Sequence, residues 1–170
     1  MDAMDKDNVK ITIRPALTSD MDQLCKVRDN RELFKRYFEE CDGEKAYFLV
    51  GQLDGVIVGF GLVYLDITRT GKRKSHLPKL SDLYVSGQYR GYGVGTALVQ
   101  AREARAKKHG QREIFVSIDP DESPGMIRLA RKLGYAPMQS EPYWTTATYY
   151  DQDGKPYERR YSRIDFRKEL

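Results

Sequence analysis

Histidine, cysteine and tryptophan are scarce in this chain, at two, two and one among 170 residues. His76 and His109 are too few and too far apart for a zinc site, and no metal is expected. Cys25 and Cys41 form no Cys-x-x-Cys pair, so the reduced thiols of an intracellular protein are the expected state. Long hydrophobic runs are missing too. The longest, Val56 to Leu65, is interrupted by Gly59 and Gly61, well short of the roughly 20 residues a membrane helix needs. Met1 to Asn8 is polar and acidic, unlike a secretory signal. The cytoplasm is therefore the expected location, with no membrane partner. Neither sign of charge dominates: 29 basic and 25 acidic residues leave +4, too little and too dispersed to imply nucleic acid. That small excess still suits an anionic cofactor.

What is present is ordinary for a globular protein, and the length favours one domain. Residues 1–8 are expected to be flexible and residues 9–170 to form that domain. Lys10 to Arg14 alternates polar and apolar residues, as a half-buried strand should, and Pro15 ends it. Thr18-Ser19-Asp20 offers helix caps ahead of Met21, Leu24 and Val27. Leu33, Phe34, Tyr37 and Phe38 recur at helical spacing. Tyr47 to Leu53 and Val56 to Leu65 flank Asp54-Gly55, a hairpin signal. Thr68 to Lys79 reads as a basic loop leading into a strand, Leu80 to Val85. A helix follows from Gly93 to His109, then a strand at Ile114 to Ile118 and a helix at Pro124 to Lys132. Gly110 and Gly134 end the two helices. Tyr143 to Phe166 predicts a long hairpin turning at Asp151 to Gly154. This order predicts an α/β (α+β) domain around one central sheet.

The chemistry concentrates after the strand that ends at Val85. Gln88-Tyr89-Arg90-Gly91-Tyr92-Gly93-Val94-Gly95-Thr96 leads into the first turn of a helix. Such a turn has unpaired N–H groups and a partial positive charge. Glycines let the backbone approach an anion without a Cβ in the way, which makes a main-chain phosphate site. Arg90 adds a positive charge beside it. A P-loop would need Lys-Ser/Thr after its last glycine, and Gly95 is followed by Thr96-Ala97. A Rossmann fingerprint would need a third Gly or Ala, where this chain has Thr96 or Leu98.

Arg90-Gly91-Tyr92-Gly93-Val94-Gly95 resembles the Arg/Gln-x-x-Gly-x-Gly/Ala signature of the GNAT superfamily of N-acetyltransferases. Val58-Gly59-Phe60 is similar to that family's third strand, and Leu133-Gly134-Tyr135 to its Leu-Gly-Phe ending. The resemblance implies a single domain with a mixed, mostly antiparallel sheet and helices on both faces. It implies acetyl-CoA as co-substrate, in a cleft where the fourth and fifth strands splay. The implied cofactor-binding residues are Leu83, Val85, Arg90, Gly91, Tyr92, Gly93, Val94, Gly95, Thr96 and Ser123. A neutral amine would attack the thioester directly, with main-chain N–H groups near Tyr84 or Val85 supporting the oxyanion and CoA thiolate leaving. Asp82 and Tyr84 are the catalytic candidates.

Two departures bear on that mechanism. The family's Asn-x-x-Ala-x-x-Leu-Tyr motif, counted back from Gly134, falls on Ser123, Met126, Leu129 and Ala130. The tyrosine commonly protonates the departing thiolate in relatives, and Ala130 cannot. Spermidine-type relatives carry Glu-Asp on the fourth strand where this chain has Ser81-Asp82. Asp82 remains to orient the amine or accept its proton through water, or to bond neighbouring backbone. Substitute acids are Tyr84, Tyr92, Tyr135 and Tyr143, and Ser123 could hold a water.

The acceptor side is less legible. Glu39, Glu40, Asp42 and Glu44 either draw in a cationic amine or form a solvated loop. Trp144, Tyr149 and Tyr150 either wall a pocket or pack on the sheet. Lys72 to Lys74 either touch the 3′-phosphate of CoA or are solvated. The expected function is acetyl transfer to a primary amine of a small molecule. The alternatives are a protein or peptide acetyltransferase (Lys or N-terminal amine) and a non-catalytic acyl-CoA sensor. A homodimer stays open.

Overall fold

The computed structural model describes residues 5–65 and 77–170. Its strands are β1 (Ile11–Pro15), β2 (Ala46–Leu53), β3 (Val56–Tyr64), β4 (Lys79–Val85), β5 (Glu113–Ile118), β6 (Ala136–Pro137), β7 (Tyr143–Tyr150) and β8 (Pro156–Glu169). The helices are α1 (Met21–Val27), α2 (Arg31–Glu40), α3 (Val94–Lys108) and α4 (Pro124–Lys132). The sheet runs β1-β2-β3-β4-β5-β8-β6, with β7 paired to β8. Every pairing is antiparallel except β4 with β5. That is the mixed α/β sheet the sequence predicts. No described helix is long and apolar enough to cross a membrane.

β2 and β3 are nearly all apolar because both faces of the sheet are covered. Leu49, Val58 and Val63 pack with Leu98, Val99 and Ala106 of α3 on one face. Phe48, Val50 and Phe60 pack with Leu24 of α1 and Phe34 of α2 on the other. Phe34 sits edge-on to Phe60 at 5.2 Å between centroids, and truncating such a ring to alanine costs about 3–5 kcal/mol. The turn between β2 and β3 is Asp54-Gly55, with φ of 47° and 84°, and the Asp54 carboxylate accepts the Lys10 N–H at 2.9 Å. One residue pair thus makes the hairpin and ties β1 beside it.

Two expectations need correction, and a third lies mostly beyond the described residues. The short strand β6 was not anticipated, because two residues carry no periodicity. Thr18–Asp20 is a 3-10 turn, and the Asp20 side chain does not cap α1. It accepts the Leu17 N–H at 2.8 Å and pairs with Arg14 at 2.7 Å, which pins the turn onto β1. Most of the basic loop predicted at Thr68 to Lys79 lies outside the described residues.

Candidate active site

The cleft begins where two strands part. β4 and β5 pair only at Lys79–Phe115 and Leu80–Val116. From Ser81 to Val85 the β5-facing edge of β4 has no strand partner among the described residues, so its main chain is open to a ligand. The other edge carries a bulge. Phe60 faces Tyr84 but Leu62 faces Ser81, so β4 holds one more residue than β3 over this stretch. Asp82 lies in that bulge with φ of 44°, a left-handed conformation uncommon outside glycine, and sparse conformations of this kind cluster at functional sites. A cavity of about 240 Å³ fills the splay. Ser81, Asp82 and Leu83 of β4 line it, with Ser117 of β5, Ser123 and Met126 of α4, Arg163 of β8 and Arg102 of α3.

Beyond Val85 the chain makes a 3-10 turn, Gly87–Tyr89, and then starts α3. Gly91 and Gly93 have φ of 84° and 94°, where a side chain would be strained. Gly93 is the N-cap of α3, and no side chain among the described residues caps it, so the first-turn N–H groups of Val94, Gly95 and Thr96 are left without a side-chain cap there. This bare, glycine-lined helix start fits a phosphate. Lys6 adds a cation 5.4 Å from the Tyr92 ring centroid. Arg90 is directed elsewhere: its Nε donates to the Val85 carbonyl at 2.9 Å, locking the strand end to the loop.

Asp82 is bound from the other side of the sheet. The Tyr37 hydroxyl donates to it, and Arg28 Nη1 reaches both its oxygens at 3.3 and 3.4 Å. Burial, and then the Asp82 charge, push the Tyr37 phenol well above its ordinary range, so it stays a proton donor to Asp82. The same Arg28 guanidinium lies 5.9 Å from the Tyr84 ring, which stacks on Phe60. Nothing in the local sequence pairs residues 28, 37 and 82.

The remaining candidates divide. Leu83 and Ser123 line the cavity, whereas Tyr84 does not, and Val85 is buried at the strand end. Tyr135 donates to Glu103 at 2.8 Å, and burial raises its phenol far above the ordinary range. Tyr143 donates to the buried Asp165 at 2.7 Å. Neither lines the cleft, and among the described residues no tyrosine does. Ala130 is 1% exposed in the α4 core, so a ring there would overpack that core. Asp42 accepts the N–H groups of Glu44, Lys45 and Ala46, and Glu40 accepts the Tyr64 hydroxyl at 2.8 Å. Asp42 thus braces the turn, and Glu40 ties the end of α2 to β3. Trp144 stands exposed with Arg160 over it, while Tyr149 stacks on Tyr157. The hairpin instead lends Arg163 to the cleft. Its turn reaches α1–α2, where Gln152 donates to the Asp29 carbonyl at 3.1 Å and Arg36 sits 3.1 Å from the Tyr150 centroid. Lys72 to Lys74 lie outside the described residues.

Sequence reasoning missed Arg102, although the signal was there. It lies four residues after Leu98 and four before Ala106, on the buried stripe of α3, where an apolar residue is the norm.

Comparison with known proteins follows the same lines. The model of the family described as "Acetyltransferase (GNAT) family" matches residues 14–135. An "N-alpha-acetyltransferase" of Sulfurisphaera tokodaii is 33% identical over 137 residues, covering 72% of this chain and 78% of that protein. The Salmonella typhimurium protein yncA, solved with its cofactor acetyl-CoA, superposes with a TM-score of 0.68 at 18% identity, covering 94% of each chain. The paia N-acetyltransferase of Thermoplasma acidophilum, solved with coenzyme A, gives 0.69 at 16% identity, covering 95% of this chain and 99% of that one. These two structures agree with this chain in fold.

Proposed function

Because this chain belongs to the acetyltransferase (GNAT) family, we propose that it moves the acetyl group of acetyl-CoA to a primary amine that enters the cleft end-on, with small-molecule amines as the first acceptor class. The observation that carries this reading is the run from a bulged, splayed β4 into an uncapped, glycine-lined helix start. Bound acetyl-CoA supplies an activated acetyl thioester. The N–H groups of Val94, Gly95 and Thr96 hold its pyrophosphate, with Gly91 and Gly93 keeping side chains out of the way. Ser123 and the open edge of β4, from Leu83 to Val85, flank its arm, and the unpaired main-chain N–H groups of that edge steady the carbonyl oxygen. Asp82 attracts and orients the amine. Arg28 already balances its charge, which makes it an orienting acceptor more than a free base, and the amine proton leaves to water.

A second reading is an α-amine at a peptide or protein N-terminus. The Sulfurisphaera relative's name favours it, and so does the hairpin turn bridging to α1–α2, which suits a chain end better than a continuous polypeptide. The test measures thiol release from acetyl-CoA with small amines, peptides with free N-termini, and N-terminally blocked lysine peptides. Release with the first or second set and not the third is expected. Acetyl-CoA at 100 times its Kd contributes about 2.7 kcal/mol. At roughly 2–4 °C per kcal/mol, Tm should rise by about 5–10 °C. No release with any acceptor, together with an unmoved Tm, rejects the reading.

A further inference from the structure

Arg102 is wholly buried, yet no carboxylate pairs with it among the described residues. Its Nε donates to the Leu98 carbonyl at 3.1 Å, within α3. Its Nη1 donates to two carbonyls at once, Leu62 of β3 at 2.8 Å and Ser81 of β4 at 3.0 Å. Leu62 and Ser81 face each other beside the bulge. Its Nη2 is buried with no partner among the described residues. Gly61 leaves room for it: a Cβ there would stand 3.0 Å from the guanidinium carbon. Burial pushes the guanidinium down to about 10, which still leaves it charged at neutral pH.

The nearby carboxylates are committed elsewhere. Glu103 is engaged by Lys168 at 3.0 Å and by Tyr135, and Asp82 by Arg28 and Tyr37. A burial of this kind is unfavourable, and an apolar side chain would pack there with less penalty. We infer that Arg102 is a positioning residue for acyl transfer: it clamps β3 to β4 at the bulge and sets an unpaired positive charge behind the splay where the thiolate departs.

This rests on the acetyl-transfer reading. In that reaction the amine nitrogen forms the new C–N bond, the C–S bond breaks with its electron pair on sulfur, and the amine proton passes to water. A fixed cation beside the cavity stabilises the sulfur charge without a proton, which answers the alanine at position 130 and the absence of tyrosine from the described lining. Lys79 and Arg163 face the same cavity as further cations, and Asp82 and Asp119 as carboxylates.

The first readout needs no acceptor. If Arg102 favours thiolate, the bound CoA thiol titrates below its own free value, measured on CoA alone. CoA affinity then rises with pH across that interval, about tenfold for each unit of lowering, while desulfo-CoA shows no rise. Arg102→Met should abolish the rise, and Arg102→Lys should keep part of it. In turnover, Arg102→Met should lower kcat on the order of tenfold to a hundredfold with little change in the KM for acetyl-CoA. Should Arg102→Met not fold, Arg102→Gln, which still can donate to a carbonyl, carries the same comparison. A wild-type protein with no pH-linked rise, or a neutral variant that keeps both the rise and kcat, overturns the inference. Absence of transfer by the wild type overturns the functional reading instead, and the CoA titration still decides this one.

Discussion

The end of the cleft proposed to hold phosphate is main chain drawn from one stretch, Val85 to Thr96, while the end proposed to hold the acceptor is side chains from four separate elements. At the first, a strand end, two left-handed glycines and a helix start with no side-chain cap among the described residues leave the main chain bare. At the second, Arg28, Tyr37 and Asp82 meet across the sheet, and Gln152 closes onto Asp29, 123 residues away. A main-chain site is a local property of sequence, and a side-chain site is a property of the whole fold. The two ends should therefore fail independently.

The largest effect is expected at the main-chain end. Gly93→Val would force a branched residue into φ of 94° and put its Cβ 3.5 Å from Ile11 Cδ1. CoA affinity should fall by about a hundredfold or more, equivalent to about 2.8 kcal/mol, with circular dichroism little changed. Calorimetric binding near the wild-type value would mean that the anion sits elsewhere. Next comes Asp82→Asn, which keeps a residue tolerant of positive φ but removes the charge. Turnover at neutral pH should drop by about tenfold to a hundredfold while CoA affinity stays put. If CoA affinity falls in step, the two ends are one site and the contrast fails.

A smaller change is expected from opening the bridge over the acceptor end. Arg36→Ala removes a cation–π contact of about 0.5–1 kcal/mol, and Gln152→Ala the neighbouring hydrogen bond. Together they should shift acceptor KM by roughly twofold to fivefold and let blocked lysine peptides compete. Unaltered acceptor preference in that double variant would make the bridge incidental. The smallest effect concerns pH. The hydrogen bond from Arg14, against the opposing effect of burial, holds the Asp20 carboxyl below its ordinary 3.8. A depressed folded value contributes stability that is present above the unfolded value and lost as pH falls through the folded one. The entry to α1, on the acceptor side, should thus loosen first in acid. Asp20→Asn should flatten stability against pH below about 4, measured by urea unfolding at several pH values.

How far the sequence could be read follows the same division. Asp54-Gly55, Pro124 to Gly134 and the Gly91–Gly95 run act through φ, caps and helix ends within a few residues, and their elements appear at nearly the expected bounds. The bulge at Asp82 has no such marker, because Ser81-Asp82-Leu83 is compatible with a regular strand until Gly61 and Arg102 are set against it. The tyrosines were ambiguous for a related reason. Tyr135, Tyr143 and Tyr37 look alike in sequence, and only their distant partners, Glu103, Asp165 and Asp82, separate braces from a tyrosine that bonds a residue lining the cleft. Arg102 was legible as an anomaly on an apolar stripe, though its role was not.

Helix α3 begins at the proposed phosphate cradle and carries Arg102 two turns later. At about 1.5 Å per residue, the span from Val94 to Arg102 is about 12 Å, set by backbone geometry alone. Val94 itself is seated on β2 with no spacer, for a Cβ on Gly51 would come within 2.7 Å of its Cγ1. The helix is therefore a ruler with one end anchored. Side chains on its outer surface are free to vary, but its length is not: one residue inserted between Gly95 and Arg102 would swing the guanidinium by about 100° and strip it from the bulge. Donors should be gauged in the same way, so that thioesters on short arms, lacking the part that reaches the cradle, lose their register with the splayed strands.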